Sequence, residues 1–188
     1  MPGTKVIVCF LPSTSELLQK SWLNTAAARL APPNAEGRKP MVHAELFFPA
    51  QEDAEGASGL SCGIHYGGKV FMSPKRFSKK DWIFHSFSCD QSKYNKMKKF
   101  CADQVGGGFN YAGYFTPCNI ASRNRYTNAT QQSWYCSELV ASALQAADLI
   151  EPGLHAHQHP DQLYQIVRDS EITYLDTGRR FDTSKLQL

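Results

Sequence analysis

Cys136 and His43 are the two residues whose types and settings could do chemistry. Cys136 falls in the first turn of WYCSELVASALQAA, whose apolar spacing predicts a helix over about 134–147. The N-terminus of a helix carries partial positive charge, which favours a thiolate over a thiol. On position alone, Cys136 reads more readily as a small packed core residue. His43 changes that balance. It is a polar ring near the start of an apolar strand, MVHAELFF, and Glu45 follows it on the same face. A nucleophilic cysteine needs a base within hydrogen-bond reach, and the base needs a third group to fix its tautomer.

The strand pattern offers that third group. A hairpin centred near Ala54 would place Ile64 and His65 opposite His43, which makes His65 the favoured orienting residue. Glu45 and Ser61 are weaker rivals. His85 reads as a structural histidine, and Glu138 as a helix-stabilising charge in the first turn.

The elements that would position these residues follow from periodicity and punctuation. KVIVCFL (5–11) is a buried strand stopped by Pro12. Ser13 and Glu16 have capping-box spacing and predict a helix to about Leu30. The loop 31–40 leads to the strand 41–48, then to a polar hairpin tip over 49–59. Strands are expected over 60–66, 69–72 and 82–87, with a Gly67-Gly68 turn. A helix from Gln91 to Val105, with Tyr94, Met97, Phe100 and Cys101 as its apolar stripe, ends at three glycines. After the nucleophile helix come a loop, a short helix over 160–168 and a last strand over 172–175. This is an α+β pattern, an antiparallel meander packed against helices, in a single domain over 1–188. Its core spans about 5–168 and its peripheral tail 169–188.

Composition narrows the function classes. The chain has 188 residues, 42% of them hydrophobic, with a net charge of +3, so it is neither disordered nor a polyelectrolyte. The basic stretches, Lys93 to Lys99 and Lys75, Arg76, Lys79 and Lys80, read as solvated faces, and no nucleic-acid partner is expected. No apolar run reaches the ~20 residues of a membrane span, so at most transient surface contact is expected. The first residues lack a signal-peptide pattern, and six cysteines without a CxxC pair read as free thiols; both predict a cytoplasmic location. His155, His157 and His159 alternate as metal ligands sometimes do, but they fall in a loop with no acid or cysteine to complete a set. Neither a metal nor a cofactor is expected.

These segments resemble a known family. WYCSELVASALQAADL is similar to the nucleophile helix of the NlpC-like papain-fold superfamily, in the circularly permuted branch where the histidine precedes the cysteine. MVHAELFF resembles its His-bearing strand, FCADQVGGGFNYAGYF its segment before the nucleophile, and HPDQLYQI its Pro-x-x-Leu-Tyr element. The lecithin:retinol acyltransferase group and poxviral and bacterial members share this order. Many members carry an acid on the strand after the histidine, whereas LSCGIHYGG offers His65 there. The resemblance implies a cysteine-dependent hydrolase or acyl-transfer enzyme, a peptidase or amidase foremost, with a lipid acyl hydrolase or acyltransferase as the alternative. It implies Cys136 as nucleophile, His43 and His65 as its partners, and Tyr111 and Tyr135 on the substrate and oxyanion side. A non-catalytic interaction module on the same fold is the competing class.

Overall fold

The structure is a computed structural model that describes residues 3–20, 39–115, 133–150 and 159–177, with 19, 20, 112, 115 and 169–177 described by backbone alone. Strand β1 (Thr4–Pro12) is a continuous apolar run because both its faces are covered. Val6, Val8 and Phe10 enter one core cluster, and Ile7, Cys9 and Leu11 enter another. Strands β2 (Met41–Glu52), β3 (Gly56–Gly63), β4 (Phe71–Ser78) and β5 (Ile83–Cys89) complete a five-stranded sheet. Its order is β4-β3-β2-β1-β5, and every pairing is antiparallel.

Helix α1 (Gln91–Gln104) starts at Asp90, whose side chain accepts the N–H of Lys93 at 2.8 Å. Met97 and Cys101 are its buried residues, with Tyr94 and Phe100 half-buried beside them, as the stripe predicts. A short helix, α2 (Tyr111–Phe115), follows. Helix α3 (Cys136–Ala146) is buried from Cys136 through Leu144, which explains its apolar character on all sides. Leu139, Val140 and Leu144 share the first cluster with Ala44, Leu46 and Phe48 of β2. The opposite sheet face, with Phe47, Phe77 and Trp82, is covered by Leu17 and Leu18 of a 3-10 helix (Glu16–Lys20). No helix among the described residues is long and apolar enough to cross a membrane.

Several expected elements differ. The helix foreseen from Ser13 is, within the described residues, the 3-10 helix alone, and the remainder of that span lies outside them. Ser13 donates its own N–H to the Pro40 carbonyl at 2.9 Å, and Ser15 instead accepts the N–H of Leu17 at 3.3 Å. The polar stretch 49–59 is mostly strand, with its turn confined to 53–55. Asp53 makes that turn by accepting the N–H groups of Glu55 and Gly56 at 3.0 and 2.9 Å, a local alternative to ladder pairing. β4 runs through SPKRFS, which carries no strand pattern; an edge strand tolerates Pro74 because one row of its backbone groups needs no partner. The final strand foreseen at 172–175 is helical, as the last helix, α4 (Pro160–Thr177), continues through it. Extending an existing helix fixes one residue per hydrogen bond, so weak β propensity is overridden.

Helix α4 begins with Pro160 in the first turn, after His159, whose carbonyl accepts from Leu163 at 3.1 Å. Beside it, buried Asp161 accepts the backbone N–H of Met41 at 2.7 Å, a bond spanning 120 positions. It pins the start of β2, two residues before His43. Asp161→Ala is expected to lower stability by about 1–3 kcal/mol, the cost of leaving a buried N–H unsatisfied. Asp161→Asn, which retains an acceptor, should recover most of that loss in urea unfolding.

Candidate active site

His43 lies beside an irregularity in β2. Leu11 pairs with His43 but Pro12 pairs with Met41, so Val42 is an extra residue bulged out of the ladder. Bulges of this kind re-aim side chains beside functional sites. On its other edge, β2 pairs Leu46 with Cys62, Phe47 with Ser61 and Phe48 with Leu60. These pairs are symmetric about residue 54, as the sequence predicts, and their continuation places His65 opposite His43. The two imidazoles stack, with centroids 5.4 Å apart and planes 25° apart.

Stacking is the relation His65 has to His43; the orienting hydrogen bond belongs to Glu45. His43 Nε2 lies 3.1 Å from Glu45 Oε1. The Glu45 carboxylate is 0% exposed, which would be costly unless every lone pair were engaged. Ser61 donates its hydroxyl to Oε2 at 2.6 Å, and Lys75 donates its ammonium to Oε1 at 2.6 Å. Lys75 lies over the rings of Phe77 and Trp82, at 4.5 and 5.0 Å, so it is an inward-facing cation rather than part of a solvated face. Gly63 is required where the strands approach: a Cβ there would meet Glu45 Cγ at 2.8 Å. Burial alone would raise the Glu45 pKa, but His43 and Lys75 outweigh it and hold the acid at about 2.

Cys136 is the first residue of α3, is 4% exposed, and interacts electrostatically with His43. Burial works against a charged imidazole, but Cys136 and Glu45 prevail and raise the His43 pKa to about 9. Because Nε2 is directed at Glu45, Nδ1 is the ring nitrogen left for the sulfur. His43 thus stands between a sulfur and a buried carboxylate, the arrangement that lets an imidazole hold and return a proton.

The start of α3 is fixed by Glu138, which is 2% exposed. Its Oε2 accepts the Tyr135 N–H and the Asn110 amide, both at 3.2 Å. Asn110 also donates its backbone N–H to the Trp134 carbonyl at 2.9 Å, continuing a short parallel pairing of β6 (Gly108–Phe109) with β7 (Ser133–Trp134). Glu138 therefore stabilises the helix start, as expected, and also binds the segment that leads into α2.

That segment brings aromatics to the site in an order the sequence did not predict. Tyr111 is 50% exposed and packs on Phe109 and Tyr66, with centroids 5.0 and 5.8 Å away. Tyr135 is buried and precedes Cys136 as the helix cap. Tyr114 is the tyrosine that feels Cys136: burial and then the Cys136 charge raise its hydroxyl to about 12. Its ring lies 6.1 Å from that of Tyr135. The i,i+3 spacing of Tyr111 and Tyr114 was the available signal, since a helical turn puts both on one side.

His155 and His157 lie outside the described residues, and His159 sits at the start of α4. Among the described residues, the group with metal-ligating potential is His43, Glu45 and His65, whose donor atoms lie within 4.8 Å of one another. No family model matches the chain, and no curated protein and no solved structure matches it either.

Proposed function

We propose that the chain is a cysteine-dependent hydrolase or acyl-transfer enzyme acting on amide or ester bonds, a peptidase or amidase foremost, on a circularly permuted papain-like scaffold. One observation carries this reading: Cys136, at a helix start, acts on the charge of a histidine whose Nε2 meets a buried, charge-compensated carboxylate. The His-before-Cys order and the resemblance of CSELV to a nucleophile helix agree with it.

In the proposed reaction the Cys136 sulfur attacks the acyl carbon, and the proton given up by the thiol rests on His43. A C–S bond forms as the carbonyl π pair moves onto oxygen, where the Cys136 backbone N–H and the Tyr114 hydroxyl are the candidate donors. Collapse breaks the bond to the leaving amine or alkoxide, which takes the His43 proton. Water or another acceptor then gives a proton to His43, attacks the thioester and restores the sulfur. Tyr66, Phe109, Tyr111 and Tyr114 form a contiguous aromatic wall beside this site, suited to an apolar acyl group.

Activated aryl esters test the reading. Intact-protein and peptide mass spectrometry should find a single acyl adduct on Cys136 that turns over, absent in Cys136→Ala. Buried Cys9, Cys62 and Cys101 should stay unmodified under the same conditions. A Cys136 as inert as those three would refute the catalytic assignment.

A further inference from the structure

The geometry points to a second use of the same cluster: His43, Glu45 and His65 form a binding site for a divalent transition-metal ion, zinc foremost, whose occupancy silences Cys136. The binding half stands on the three residues alone; the silencing half rests on the proposed roles of Cys136 and His43. Two histidines and a glutamate are a ligand set that zinc accepts with a fourth position left open.

The distances suit the ion. Zinc ligands about 2.0–2.2 Å from the metal in tetrahedral array stand roughly 3.3–3.6 Å from one another. His43 Nε2 and Glu45 Oε1 are already 3.1 Å apart, and all three donors lie within 4.8 Å. His65 is exposed and lies on the turn side of β3, between the stacked rings of His43 and Phe71 (5.0 Å), so a small rotation completes the set. Ser61, bonded to the other carboxylate oxygen, supplies the outer support that metal-bound carboxylates usually have. Lys75 opposes the ion, because its ammonium shares Oε1. That competition makes the site a reversible one rather than a permanent structural centre.

Metal on Nε2 would change what His43 can do. An imidazole coordinated through Nε2 keeps its proton on Nδ1, the nitrogen facing Cys136. It can then donate to the sulfur but has no lone pair with which to take a proton from it. The ion replaces the Nε2 proton, which passes to solvent, and no oxidation or reduction is involved.

The test is zinc titration of the full chain by calorimetry, with cobalt absorption as an optical readout, in wild type, His65→Ala, His65→Gln and Cys136→Ala. Wild type and Cys136→Ala should each bind one ion. Both His65 variants should bind at least about 10- to 100-fold more weakly, the range known for lost support at metal sites. Zinc should block alkylation of Cys136 by iodoacetamide in wild type, and a chelator should restore it. No binding, or binding unchanged in folded His65 variants, would overturn the site; His65-dependent binding without protection of Cys136 would overturn the silencing. If zinc binds through His65 while Cys136 stays unreactive in chelator, the catalytic reading fails and the metal site stands.

Discussion

His43→Ala is expected to reduce turnover of an aryl ester by about 10⁴-fold, the scale on which loss of a catalytic imidazole or its tautomer acts in related arrangements. In the proposed reaction the residue is both the store for the thiol proton and the acid for the leaving group, and no other side chain is assigned either task. Its pH signature is specific. The His43 pKa lies at about 9 against an ordinary 6.5, so the imidazolium is present through neutral pH and disappears as pH rises through 9. Turnover limited by protonation of a poor leaving group should therefore decline above pH 9. The folded state gains from the same shift: the contribution of His43 to stability is complete below pH 6.5 and is lost as pH rises through 9. Urea midpoints measured from pH 6 to 10 should show that decline in wild type and lack it in His43→Ala. An unchanged alkaline profile would remove His43 from the pairing with Cys136.

Glu45→Ala should be the most destabilising single change at the site, at about 3–5 kcal/mol, because it strands a cation whose partner is buried. Lys75 would lose its carboxylate, and Ser61 its acceptor. Activity should fall by roughly 10²–10⁴-fold in Glu45→Gln, which keeps the shape but not the charge that orients and stabilises the imidazolium. Acid titration provides the check. The Glu45 pKa lies at about 2 against an ordinary 4.5, so its contribution is present above pH 4.5 and is lost as pH falls through that range toward 2. Wild-type urea midpoints should drop across this interval, and those of Glu45→Gln should follow a shallower course. Equal slopes would show that the carboxylate is not held ionised by its neighbours.

The unequal legibility of the site has a physical origin. The alternation in MVHAELFF puts His43 and Glu45 on one face, and the symmetry of the hairpin puts His65 opposite His43; both readings match the ladder pairs. Choosing between Glu45 and His65 required two things that alternation does not encode. One is the bulge at Val42, which shifts the register of β2 beside His43. The other is Lys75, delivered by an edge strand whose residues have little strand propensity and whose cations read in the sequence as a solvated face. A buried glutamate between three partners is favourable; without knowledge of Lys75 it looks too costly. Helix α3 is legible because its apolar run matches a helix buried from Cys136 through Leu144.

The bond from Asp161 to the Met41 N–H ties readiness to the timing of synthesis. A nascent chain that has just exposed Cys136 already contains His43 and the β1 strand paired with Met41, but it lacks Asp161, the acceptor of the Met41 N–H. At a ribosomal pace of about 5–20 residues per second, the anchor follows seconds later. Until Asp161 docks, the Met41 N–H, two residues before His43, is without the acceptor it has in the finished fold.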